Sequence, residues 1–278
     1  MTALNRTLTA IVDLLFAPLE RLPPLAGLAA LAAATSVLVL LAFKWTADQA
    51  ALAATKRSIQ AALLEMRLLS DDLPSLFRAQ LEALGHTLGY LRLSLVPTAW
   101  VIVPVVVLMV HMEFYFGYVG LAPGDAALVK VELGRTPAGS SSRDLPAAAL
   151  QAPEGIGVET PAVFLPSERE IAWRIRPEAA GSYQLSIRVG GTELKKTLVV
   201  SDAVTRRSPV RPSPALVLQL LNPSETPLPE DASVEAVRVT YAGREYEVGG
   251  WDVGWAAVYV VLTLVFAFAL KGVFGVVM

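Results

Sequence analysis

The sequence predicts a membrane α-helical protein with an all-β domain set between its second and third spans. Three observations predict it. Apolar segments at residues 25–43, 95–110 and 253–270, with their flanks, approach the ~20 residues that a helix needs to cross a ~30 Å hydrocarbon core. Residues 44–94, between the first two, carry amphipathic helical periodicity with a heptad stretch. Residues 119–252 instead alternate apolar and polar side chains in the manner of strands.

Composition narrows the function classes. The 278 residues are 54% hydrophobic, and the mean hydropathy of +0.52 is that of a chain greasier than an ordinary soluble domain. The absence of cysteine excludes disulfides and thiolate metal sites. The two histidines, His86 and His111, sit in no metal-ligand spacing, and the net charge of −2 argues against nucleic acid as a partner. Both histidines also lie outside the β segment, which holds most of the serines and aspartates. With no GxSxG, P-loop or GxGxxG in a suitable context, no catalytic residue, cofactor or metal is assigned.

Taken in order, residues 1–24 place Leu8, Ile11, Val12, Leu15, Phe16, Leu19 and Leu22 on one face, opposite Arg6, Asp13 and Glu20. This is an amphipathic helix lying in the membrane interface, or else a plain helical lead-in to the first span. It differs from a cleavable signal in having charges spread through it and its apolar run only after Pro23-Pro24, so the first span is expected to be retained. That span, 25–43, is rich in small residues (Gly27, Ala30, Ala33, Ala34, with Thr35 and Ser36) that suit close helix packing. Residues 44–94 then form a helical hairpin. Leu52, Ile59, Leu63 and Met66 line one helix, Ser70-Asp71-Asp72-Leu73-Pro74 makes the break, and Phe77, Leu81, Leu84, Leu88 and Leu91 form a heptad seam on the second.

The second span, 95–118, contains Pro97, Trp100 and Pro104, with kinking expected at the prolines, and ends in an aromatic belt, Phe114 to Tyr118. His111 and Glu113 lie just inside that belt. They are either a functional ionisable pair or side chains reaching out to water. In residues 119–252, strands are expected around Val129–Leu133, Ile171–Ile175, Tyr183–Val189 and Leu194–Val200 (joined by Gly190-Gly191), Ala215–Leu221, Val234–Tyr241 and Glu245–Val248. Surface loops are expected at 136–153 and 205–214. Six or more short strands predict a β-sandwich, and Pro177 to Tyr183 resembles the E–F corner of immunoglobulin-like domains, with Tyr183 as its corner tyrosine. The third span, 253–271, is bracketed by Trp251, Trp255 and Lys271.

Positive charge sets the expected topology. The hairpin carries Lys44, Lys56, Arg57, Arg67, Arg78 and Arg92, and Lys271 follows the third span. Residues 1–24 carry only Arg6 and Arg21, balanced by Asp13 and Glu20. The β segment holds 14 Lys/Arg against 17 Asp/Glu, but long translocated domains are little governed by this rule. The reading is a multi-pass plasma-membrane protein of the bacterial inner-membrane kind. Its hairpin and C-terminus face the cytoplasm, and its N-terminus and β domain lie outside.

Residues 8–118 resemble the core of the YidC/Oxa insertase superfamily, which includes the ER membrane complex subunit 3 and the archaeal YidC-like proteins. The likeness rests on Ala17-Pro18-Leu19 in the amphipathic helix and on Lys44-Trp45-Thr46-Ala47-Asp48-Gln49 running to Ser58-Ile59-Gln60-Ala61 and Glu65-Met66-Arg67. It rests also on Leu95-Val96-Pro97-Thr98-Ala99-Trp100 at the start of the returning span. The third span would complete a three-span core. The resemblance implies a non-enzymatic factor that inserts hydrophobic segments of nascent or small membrane proteins through a polar groove open to cytoplasm and lipid. On that view Lys44 is the groove cation and Thr35, Ser36 and Trp100 belong to the groove. The chain departs from the pattern in three ways: Lys44 is at the cytoplasmic edge, the basic tail of some members is missing, and a β domain interrupts spans two and three. The alternative is a membrane-anchored interaction module whose outer β-sandwich binds a partner protein.

Overall fold

The structure, a computed structural model, describes residues 3–68, 73–134, 146–230 and 233–276. Three of its helices have segments long and apolar enough to cross a membrane, Pro24–Thr46, Pro97–Phe116 and Trp255–Phe274, and antiparallel sheets lie between the second and third. The chain divides into two compact units, residues 1–27 with 109–256 and residues 28–108 with 257–278.

In the first unit, α1 (Ala3–Phe16) runs into a 3₁₀ turn at Ala17–Arg21, where Pro18 occupies the first turn and ends the α-helical bonding. Val12, Phe16 and Leu19 are buried, and Phe16 stacks against Tyr115 and Phe116 with ring centroids 4.5 and 6.0 Å away. The β domain follows. Its larger sheet takes the order β3-β5-β1-β9-β8 from Ile156–Val158, Glu170–Pro177, Ala127–Leu133, Val234–Val239 and Val210–Pro212, and β4 (Val163–Leu165) also pairs with β5. The second sheet is β2-β6-β7, from Ala148–Gln151, Gly181–Val189 and Thr192–Val200. The period-2 pattern sends Val129, Val131, Ile171, Trp173 and Ile175 of the first sheet, and Leu185, Ile187, Leu194 and Leu198 of the second, into one shared apolar core. Gly190 and Gly191, both at positive φ (56° and 91°), make the two-residue β6–β7 turn that the Gly-Gly pair predicted.

Several expectations are corrected. Residues 216–221 form a helix, α5 (Leu216–Leu221), and not a strand. Ser213 makes the final ladder bond (N to Glu235 O, 2.8 Å), Pro214 follows, and a run of good helix formers then coils. The segments read as loops contain β2 and β8; residues 136–145 of the first lie outside the described residues. β10 (Glu245–Val248) pairs with β11 (Trp251–Gly254), which leads directly into α6 (Trp255–Phe274).

In the second unit, α2 (Pro24–Thr46) is followed by α3 (Gln49–Leu68), whose start is capped by Asp48 Oδ1 accepting from Ala51 N at 3.0 Å. The break read at residues 70–74 falls mostly outside the described residues. Beyond it a single helix, α4 (Leu73–Phe116), contains both the second hairpin helix and the second span, and passes through Pro97 and Pro104. The leucine seam does not pack inside the hairpin. Phe77, Leu81, Leu84, Leu88 and Leu91 are all exposed, whereas Ala79 and Ala83 are buried. At 3.6 residues per turn, the buried face lies about 140° around the helix from the seam. Small side chains take the inward face, and the large ones are left outside.

Candidate functional site

α2 and α4 leave an open groove of about 380 Å³ between them, walled by Leu38, Val39, Trp45, Trp100, Pro104 and Leu108 among others, with Thr35 at one edge. Pro104 lacks the N–H of an ordinary helix residue, and Ala42 leaves space opposite larger neighbours. Trp45 and Trp100 stay largely exposed. The expected groove was polar, but the lining found is almost wholly apolar. Lys44 is exposed in the last turn of α2 and is not among the lining residues.

Thr35 and Ser36 are both buried. Ser36 Oγ donates to Ala32 O (2.7 Å) and Thr263 O (2.8 Å), and Tyr259 OH donates to Thr35 Oγ1 (2.9 Å). These hydroxyls fasten α2 to α6, as small polar residues do between helices in lipid. Of the four predicted groove residues, the structure brings Thr35 and Trp100 to one groove, and places Ser36 in a helix contact and Lys44 at the helix end.

Sequence reasoning missed the course of the exposed apolar stripe on α4. Phe77, Leu81, Leu84, Leu88 and Leu91 continue on the same face as Leu95, Ile102 and Val106, all between 51% and 69% exposed. Their spacing of 4, 3, 4, 3, 4, 7 and 4 keeps them on one side of the helix. Exposure is ordinary in the spanning half, where lipid covers it. In the hairpin half it leaves five large apolar side chains without cover, flanked by Arg78 and Arg92.

Glu113 Oε2 accepts from Trp255 Nε1 at 2.7 Å, and Tyr118 hydrogen-bonds to the same carboxylate. Glu113 therefore ties the end of α4 to the start of α6. His111 is buried, and two positions apart on a helix the two side chains project to different sides. Just beyond, Arg207 is fully buried. Its N–H donates to Phe114 O at 2.8 Å, and its guanidinium donates to Tyr118 O (3.3 Å), Ser201 O (3.0 Å) and Ala203 O (2.7 Å). A cation among carbonyls at a helix C-terminus complements the helix dipole. Burial, with Arg244 adding repulsion, pulls it down to about 10.

A second buried cation, Lys196, is on β7. Its Nζ donates to Ser208 O (2.6 Å), to Ser208 Oγ (2.9 Å) and to Glu225, so its three N–H donors have three acceptors. Glu225 also accepts from Ser208 Oγ (2.6 Å) and Thr197 N (2.7 Å). Burial pulls the ammonium below its ordinary range despite the opposing Glu225 charge. Burial pushes Glu225 up, but the Lys196 charge and the hydrogen bonds outweigh it and hold the carboxyl low. A serine beside a lysine suggests nucleophile chemistry, but here the Ser208 hydroxyl and the Lys196 ammonium share one carboxylate, that of Glu225. The cluster is a polar fastening within the β domain. Among the described residues no group of three or more acidic or histidine side chains gathers at a metal-sized site.

Compared with protein-family models, curated proteins and solved structures, the chain matches none.

Proposed function

We propose that this chain is a membrane-protein insertase or assembly factor of the YidC/Oxa kind, acting on hydrophobic segments of nascent or small membrane proteins. The observation that carries the reading is the apolar stripe of α4, which runs unbroken from the hairpin into the spanning half of one helix. A hydrophobic segment held along Phe77–Leu91 stays in apolar contact as it moves toward Leu95, Ile102 and Val106. It need not give up one apolar surface before meeting the next. The groove between α2 and α4 is suited to an apolar guest, since its lining offers almost nothing polar. The hairpin is assigned to the cytoplasm and the β domain to the outside by the positive-inside rule, with Lys44, Arg78 and Arg92 on the inner side.

The test is site-specific photo-crosslinking from Leu84, Leu88 and Trp100 during synthesis of a small two-span protein, in membranes with and without this chain. Crosslinks that pass from Leu84 and Leu88 to Trp100 as the nascent chain lengthens support the reading. Unchanged insertion in membranes lacking the protein refutes it.

A second reading, an anchored interaction module, is favoured by the saturation of Thr35 and Ser36 through α6, which uses the polar groups of the spans for packing. On this reading the β domain is immunoglobulin-like. The Tyr183 OH to Ala179 O bond of 2.9 Å supports that assignment, being the bond a corner tyrosine makes. Polar substitutions at Leu84 and Leu88 separate the two readings, because the module needs no apolar stripe.

A further inference from the structure

α5 is apolar but for Gln219, and it is not buried. Leu216, Val217, Leu218, Leu220 and Leu221 are each between 41% and 65% exposed. Gln219 turns its amide back to Pro214 O (2.5 Å) and leaves the apolar surface uninterrupted. Two residues past the helix, Pro223 to Thr226 share the wall of a cavity of about 270 Å³ with Thr9, Ala10 and Asp13 of α1. Arg206, on the same wall, is ion-paired to Asp13 at 3.0 Å. The segment that follows α5 thus faces α1 across this cavity. α1 buries Val12 and Phe16, leaves Ile11, Leu14 and Leu15 exposed, and leads through the 3₁₀ turn to the first spanning segment at Pro24.

We propose that α5 is a second lipid-contacting element, resting with α1 in the headgroup layer of the bilayer that α2 enters. This rests on the reading that Pro24–Thr46 crosses a membrane. The lipid surface is the occupant for three reasons. α5 has no charged residue to orient a protein partner. A helix of six residues falls far short of the roughly 1,000 Å² that a specific protein interface buries. Interfacial seating, in contrast, requires only an apolar face at the boundary depth, and α1 reaches that depth eight residues after its end. The β domain then meets the membrane at two points beyond its covalent links to the spans.

The chain has no cysteine, so single labels carry no background. Nitroxides at Leu14→Cys, Val217→Cys, Leu220→Cys and the β7 control Glu193→Cys are compared in the full chain, reconstituted in phosphatidylcholine–phosphatidylglycerol vesicles. Collisions with oxygen are measured against collisions with a water-soluble nickel chelate. The expected result is a several-fold higher oxygen-to-nickel ratio at positions 14, 217 and 220 than at 193. Lipid-like values at 14 with aqueous values at 217 and 220 overturn the proposal and leave the placement of α1 intact. Protection of 217 and 220 from both reagents overturns it in favour of a second copy covering the helix. Aqueous values at 14 as well remove the membrane-interface reading on which it stands.

Discussion

Replacing Glu225 by glutamine removes one charge from a pair whose lysine side chain has no solvent exposure. Shape is nearly kept, and the amide nitrogen replaces one of two accepting oxygens, so the change removes the charge together with one acceptor. Lys196 is left either as a buried uncompensated ammonium or as an amine stripped of its proton. Breaking a buried pair from one side costs about 3–5 kcal/mol. Against a domain stability of about 5–15 kcal/mol that is a large share. In a urea titration of the full chain in detergent, followed by tryptophan fluorescence, the β-domain midpoint should fall by about 1–3 M. Trp173, in the core, reports that transition. Lys196→Met combined with Glu225→Gln should recover most of the loss, because no charge is then stranded. The acid limb supplies a second readout. Glu225 is held below its unfolded value, so its contribution is complete above about pH 4.3, the ordinary carboxylate value, and is lost as pH falls through the folded value. Glu225→Gln should flatten that limb. A single variant within about 0.5 kcal/mol of the parent, or a double variant no more stable than the single, refutes the reasoning.

Gly120→Ala would place a Cβ 1.8 Å from Ser201 O and 2.7 Å from Arg207 Nη2, so the same titration should show a loss at or above about 3 kcal/mol. Gly243→Ala, facing open space, should stay within about 0.5 kcal/mol. Ser36→Ala removes a bond to Thr263 O between two helices and should cost only about 0.6 kcal/mol on unfolding in mixed detergent micelles, whereas Ser36→Leu has no room and should cost several times more. Leu84→Gln with Leu88→Gln touches exposed side chains and should leave stability within about 0.5 kcal/mol while abolishing nascent-chain crosslinks from a probe at position 100.

Periodicity made the spans and most strands legible, because burial imposes a period of 2 or 3.6 on the residues themselves. Heptad spacing identified the seam on residues 77–91 but not which way it faces. A 4-3 spacing is the same whether leucines point inward or outward, and Ala79 and Ala83 carry too little hydrophobicity to announce the buried face. Lys196 was readable in principle, since Leu194, Lys196, Leu198 and Val200 all occupy the inward register of β7. Its partner Glu225 was not, because 29 residues and a helix separate them. Arg207 was equally hidden: its acceptors are backbone carbonyls, which leave no trace in side-chain identity. The groove's position between the first two spans was foreseeable from their order, but its apolar lining depends on which helical faces meet.

Where the β segment leaves the helices and returns, its two ends touch. Tyr118 bridges Gly243, Val119 N donates to Ala242 O at 2.8 Å, and Arg244 N donates to Gly117 O at 2.8 Å. More than a hundred residues are therefore threaded through a gap no wider than one rung of a β-ladder, about 5 Å. Beyond that clasp the insertion meets the helix ends through the Arg207 N–H on Phe114 O and the Arg206–Asp13 ion pair, and its size never enters the separation of the two strands at its neck. Excision between Gly120 and Tyr241 with a short glycine bridge would preserve the clasp, and evolution could acquire or discard the module by the same cut.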